Sequence, residues 1–180
     1  MIFGLFKRNP NRQVIDRLHG EIMAAARQPA LFIDYGVADT VDGRFEVLTL
    51  LATIVVRALT RLEAPGPELA QQLTDAIFAH FDVAMRESGV SDVGVPKRMK
   101  KLAQGYLGRS ASYRTALDRA DQAELATAIS RNVFGGESPH AADLAKYAML
   151  CQSSLEKAGR EAYLSGPLPF PPVPGLQENA

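Results

Sequence analysis

Apolar side chains recur at intervals of three and four along most of the chain, the spacing of helices with one face turned to a core. The first such segment runs from about Asn11 to Gln28, with Val14, Ile15, Leu18, Ile22 and Ala25 in register, and Pro29 ends it. After a loop around "DYGVADT", a more apolar helix is predicted from about Thr40 to Leu62, where "APGP" stops the chain. Pro67 opens a third helix, at a first-turn position where its missing N–H costs nothing. This helix carries Leu69, Leu73, Ile77, Phe78, Phe81 and Met85 on one side and acidic residues on the other, and should end near the Gly89 to Gly94 loop.

Pro96 begins a fourth helix, predicted to about Leu117. Asp121 with Glu124 is a capping-box pair for a fifth that ends near "FGG", and Ser138 before Pro139 is expected to cap a sixth. No alternating apolar and polar run of strand length separates these segments, so the expected fold is all-α, a single-domain bundle of about six helices. The stretch "SGPLPFPPVPGLQENA" holds five of the 11 prolines and reads as an extended tail, with Phe170 pinned to the body. The chain thus divides into an apolar and basic segment at 1–10, a helical domain at 11–164 and a proline-rich tail at 165–180.

Composition narrows this picture. A length of 180 residues with 47% hydrophobic content suits one domain with a sizeable core. Twenty basic and 20 acidic residues cancel, so any attraction to nucleic acid or anionic lipid must be local. Cys151 is the only cysteine, which excludes an internal disulfide and any Cys-x-x-Cys site; it reads as a small core residue of the sixth helix. The longest apolar run, Val47 to Val56, stops at Arg57, well short of the roughly 20 residues that span a bilayer. Nothing resembles an export signal, so cytoplasmic placement is expected. Phe3, Leu5 and Phe6, followed by Lys7 and Arg8, are expected to make a weak contact with the inner face of a membrane.

The fourth helix raises the one chemical question. In "GVSDVGVPKRMKK" it places Lys97, Arg98, Lys100 and Lys101 at its start, where backbone N–H groups already carry positive charge. Projection at about 100° per residue puts Met99, Leu102, Ala103, Tyr106, Ser110, Tyr113 and Leu117 on an apolar stripe. Lys97, Arg98, Lys101 and Arg109 fall opposite, with Gly105 and Gly108 between them, so that the charged face holds a strip of bare backbone. Two glycines within a helix cost roughly 1 kcal/mol each against alanine, so close approach by another group is their expected reason. From Lys97 to Arg119 seven basic residues stand against one acidic, and from Leu62 to Pro96 six acidic residues stand against one basic. Either these two segments pair inside the protein or the cations face a partner.

Catalytic and metal motifs are missing. His19, His80 and His140 are scattered and read as surface or capping residues, and no phosphate loop, dinucleotide fingerprint or nucleophile elbow occurs. Neither an enzyme nor a cofactor is expected.

Two stretches, "DTVDGRFEVLTLL" from Asp39 and "GVSDVGVPKRMKKLAQGYLGRSASY" from Gly89, resemble the ubiquinol-cytochrome c chaperone family in its bacterial form. Asp42, Gly43, Arg44, Phe45 and Glu46 match the first signature; Pro96, Lys97, Arg98, Lys101, Tyr106, Gly108 and Arg109 match the second. The resemblance implies an all-helical binding protein that assembles respiratory complex III by holding newly made cytochrome b. It also implies a ribosome contact and a second chaperone subunit as further partners. Lys97, Arg98, Lys100, Lys101, Gly105, Tyr106, Gly108 and Arg109, with Arg44 and Glu46, are then the candidate partner-binding residues. Two readings compete with it: a ribosomal-RNA-binding factor using the same cations, and a haem or small-ligand carrier. In the first signature Asp39 or Thr40 is expected to cap the helix and Phe45 to pack inward, while Arg44 and Glu46 cannot both face the core.

Overall fold

A helix that is apolar on every side has to be surrounded, and the Thr40–Leu62 segment organises the molecule on that basis. The structure, a computed structural model, describes residues 11–87, 91–92 and 94–175. The N-terminal candidates Phe3, Leu5, Phe6, Lys7 and Arg8 lie outside these residues. Among the described residues there are eight helices: α1 (Arg12–Ala25), α2 (Pro29–Ile33), α3 (Val41–Arg61), α4 (Gly66–Glu87), α5 (Gly94–Asp118), α6 (Gln122–Val133), α7 (Ala141–Lys157) and α8 (Gly159–Leu164). The all-α bundle is as expected, with two more helices than the periodicity gave. α2 and α8 span five and six residues, too short for an apolar period to show. Pro29 ends α1 as expected and at once opens α2, at the first helical position.

α3 is the axis of the bundle, touching α1, α4, α5, α6 and α7, and each of its residues from Glu46 to Leu59 is buried. Leu50, Leu51, Ile54 and Leu59 each contribute about 1.5–3 kcal/mol by leaving water. The same burial requires partners for its polar members. Thr53 donates to the Thr49 carbonyl at 2.7 Å and shares a hydrogen bond with Ser110 of α5 at 2.9 Å. Arg57 is only 3% exposed. Its Nε reaches Asp118 of α5 at 2.6 Å and its NH1 reaches Glu156 of α7 at 2.7 Å, while Arg61 also binds Asp118.

Local chemistry sets the helix starts. The Thr40 hydroxyl accepts from the Gly43 N–H at 3.1 Å, and Asp121 accepts from the Glu124 N–H at 2.8 Å, as the capping patterns indicated. Ser138 is not the cap of α7: that position is His140, and the Ser138 hydroxyl accepts the His140 N–H in the turn before it. The histidines also depart from expectation, since His19 of α1 and His80 of α4 bring their rings to 5.2 Å. Burial, and then the neighbouring His80, lowers the pKa of His19. Beyond α8, residues 167–175 lie without regular structure against the body, Leu168 buried and Phe170 and Val173 packed on the core.

The Arg57 cluster predicts an asymmetry in urea unfolding. Replacing Asp118 by Asn together with Glu156 by Gln strands a buried guanidinium and should cost about 3–5 kcal/mol. Arg57→Met leaves two carboxylates that water can reach and should cost distinctly less. Equal losses would mean that the packing of the Arg57 stem, and not its charge, sets the penalty.

Candidate protein interface

α5 begins at Gly94, two residues before Pro96, which occupies a first-turn position without loss of a hydrogen bond. Lys97, Arg98, Lys100 and Lys101 follow, all exposed, and among the described residues none of them forms an ion pair. Internal pairing with the acidic third helix is not what the structure shows. The α4 residue Arg86 binds Asp82 of its own helix at 2.7 Å and Asp92 at 2.6 Å. Glu68 takes hydrogen bonds from Asn11 and Gln72, and Asp75 from Gln71. The acids of α4 are thus engaged locally, and the α5 cations are left facing solvent.

The rest of the second signature divides between core and surface. Tyr106 is buried, edge-on to Phe78 at 5.2 Å, and burial raises its hydroxyl pKa. It packs α5 onto α4, and the little of it that is exposed lies in the wall of a groove between these two helices. Arg109 also departs from the projected outer face: it turns inward to Glu46 of α3, Nε to Oε2 at 2.5 Å, with its guanidinium over the Phe45 ring at 5.6 Å. A Cβ built on Gly105 would sit 2.6 Å from the Arg109 NH1. The strip is therefore not bare backbone at that position, because Gly105 makes room for the protein's own arginine. Gly108 differs. A Cβ there meets nothing within 4 Å, and the residue is exposed.

The first signature is resolved by the same pair. Gly43 is required because a Cβ would fall 2.0 Å from the Ala38 carbonyl oxygen, where the loop crosses the start of α3. Arg44 stays outside, bonded to Asp39 at 2.6 Å and lying over the Phe32 ring at 5.5 Å; its hydrogen bond, and then its charge, holds the Asp39 carboxyl below its ordinary pKa. Phe45 packs edge-on to Phe81 at 5.3 Å. Glu46 faces inward, and its burial outweighs the Arg109 guanidinium, so its carboxyl pKa rises. Glu46, Gly105 and Arg109 thus build the joint between α3 and α5, while Arg44 stands at the surface and ties the start of α3 to Asp39 and Phe32.

What remains available on α5 is the cationic start and, further along, Leu107, Gly108, Ala111 and Arg114. Leu107 is 64% exposed, and it borders a groove of about 600 Å³ between α4 and α5, lined also by Ala70, Gln71 and Thr74. Leu107 was missed from sequence; the signal is an isolated apolar residue beside a glycine on an otherwise polar face. Arg57 was missed too, and its signal is a cation at the end of the longest apolar run. Among the described residues no three His, Cys, Asp or Glu side chains converge as metal ligands, and no helix is long and apolar enough to cross a membrane.

Exposed cations open α5, and further along the same helix a groove borders Leu107, two features suited to the recognition of other macromolecules. A sequence model described as Ubiquinol-cytochrome C chaperone matches residues 34–170, a span that contains both signatures. The chain belongs to this family. It is also similar to the crystal structure of the Cbp3 homolog from Brucella abortus, with 36% identity, a TM-score of 0.82 and 91% of each chain covered. No protein with a curated description matches.

The Glu46–Arg109 pair predicts a pH signature. The raised Glu46 carboxyl, whose ordinary pKa is 4.5, binds its proton more readily in the folded state. Its contribution to stability therefore declines as pH rises from about that value through its raised one. Arg109→Met removes the opposing cation and should cost about 3 kcal/mol at pH 7, by urea unfolding, and less as pH falls through the raised carboxyl range, where Glu46 takes up a proton. A loss independent of pH would separate the arginine's effect from the Glu46 charge.

Proposed function

We propose that this protein is an assembly chaperone of the ubiquinol-cytochrome c reductase complex that holds newly synthesised cytochrome b until haems and partner subunits arrive. Membership of the ubiquinol-cytochrome C chaperone family supports the assembly role. The observation that carries the client reading is the outward face of α5, where Lys97, Arg98, Lys100 and Lys101 are unpaired beside exposed Leu107 and open Gly108.

A membrane-protein client near the cytoplasmic leaflet offers acidic loops and anionic head groups to the cations. It offers apolar helix surface to the Leu107 groove. Holding such a client needs affinity and release, with no bond made or broken. Ribosomal RNA would be served by the same cations, but the aromatic residue of that stretch, Tyr106, is buried and cannot stack on a base. That weighs towards protein over nucleic acid.

Reversing Lys97, Arg98 and Lys101 to Glu should abolish co-purification of cytochrome b from native membranes while helical content and melting stay unchanged. Unaltered co-purification would remove this face from the reading, and ribosome co-sedimentation lost at modest salt, without cytochrome b, would replace client with RNA. Gly108→Ala is the finer probe. With room for the methyl group it should stabilise α5 by about 0.5–1 kcal/mol, yet weaken capture if a client backbone comes close at this point.

A further inference from the structure

The described end of the chain is bound in an unusual way. Between Leu168 and Pro174 the tail has three backbone N–H groups, because the other four residues are proline. All three are satisfied: Leu168 donates to Glu21 at 2.8 Å, Val173 to Gln28 at 3.0 Å, and Phe170 to the Leu168 carbonyl in a tight turn. Three carbonyls are held as well, Pro169 by the Ser154 hydroxyl at 2.7 Å, Pro171 by the Tyr147 hydroxyl at 3.2 Å and Pro174 by the Tyr35 hydroxyl at 3.0 Å. The body thus reads the tail mainly through its main chain, with hydroxyl donors for carbonyls and amide or carboxylate acceptors for the few N–H groups. This is the chemistry of a groove for extended proline-rich segments.

Two features separate it from simple packing. Of residues 167–175 only Leu168 is buried, with Phe170 and Val173 half-buried on the core, so three apolar anchors alternate with main-chain hydrogen bonds along an otherwise mostly exposed segment. The groove also widens at Pro174. Tyr35, Tyr147 and Pro174 open onto a cleft of about 1200 Å³ whose walls include Ile33, 78% exposed, and Leu150, 45% exposed, with Asp34 and Asp143 among them. Tyr35 and Tyr147, with rings 6.4 Å apart and edge-on, belong to both.

We propose that the groove formed by α1, α2 and α7 docks an extended, proline-containing segment of a partner polypeptide, followed by apolar and basic residues, and that residues 167–175 are its built-in competitor. The prolines enter pre-extended, which lowers the ordering cost. The following apolar residues cover Ile33 and Leu150, and the basic ones meet Asp34 and Asp143, whose two charges outnumber that of Lys146 on the same wall. A tethered competitor acts at an effective concentration in the millimolar range, so the partner engages only when its longer contact outweighs the tail. The inference is independent of what the α5 face binds.

The test uses the full chain and a fluorescein-labelled peptide, GPLPFPPVPG, read by anisotropy. Leu168→Asp, which loosens the tail, should bind it at least tenfold more tightly than the unaltered chain does. Adding Gln28→Ala and Tyr147→Phe should remove that gain. The same peptide extended at its C-terminus by Leu-Leu-Lys-Arg should bind more tightly again. Circular dichroism checks that Leu168→Asp is folded, and Phe170→Asp serves if it is not. Equal binding by a folded loosened variant and the unaltered chain overturns the groove, and no gain from the extension overturns the cleft as part of the site. Concentration-dependent self-association that the peptide reverses would make the occupant a second copy and overturn the partner.

Discussion

The structure depends on how α3 disposes of the polar side chains it carries into the core. A helix without a solvent face has no neutral place for Glu46, Thr53 or Arg57, and each must be met by a group on a neighbour. α5 supplies most of them: Arg109 for Glu46, Ser110 for Thr53 and Asp118 for Arg57. Apolar packing alone would hold α5 against α3 in several rotations of similar energy. The three polar contacts, in the same order along both helices, admit one. That register turns Tyr106 and Tyr113 inward and leaves Leu107 and Gly108 outward.

The outward face of α5 is therefore a by-product of core chemistry as much as a surface feature. The signature residues look alike in sequence, a mixture of arginines, lysines and glycines, yet they do opposite work. Arg109 is consumed inside the molecule and Gly105 exists to let it pass, whereas Lys97, Arg98, Lys100 and Lys101 are left over. The excess positive charge of the segment overstates what a partner meets, since Arg109 is already neutralised by Glu46.

Much of the fold was legible because long helices announce themselves by period and by their caps. The segments at 40–62 and 67–88, and the Asp121 capping pair, match α3, α4 and the start of α6 within a few residues. The short helices were not legible, since one turn of chain has no period. Nor was the inward turn of Arg109. A projection gives the direction of a side chain but not what stands opposite, and a long arginine beside a glycine can bend back towards a buried carboxylate. Propensity marks the glycines within α5 as costly, but the group that approaches Gly105 is identified only by the packing. The tail was read as extended because proline forbids the alternatives, while the side chains that hold it come from positions 21, 28, 35, 147 and 154, remote in sequence.

Arg57 has a consequence that goes past stability. Its two bonds run to different helices, Asp118 at the end of α5 and Glu156 near the end of α7, so one guanidinium is shared between the element that carries the cationic face and the one that lines the tail groove. Sharing makes the two contacts interdependent. The ends of α5 and α7 are both registered against α3 by this one side chain, so the element with the exposed cations and the element beneath the tail are placed by a common anchor.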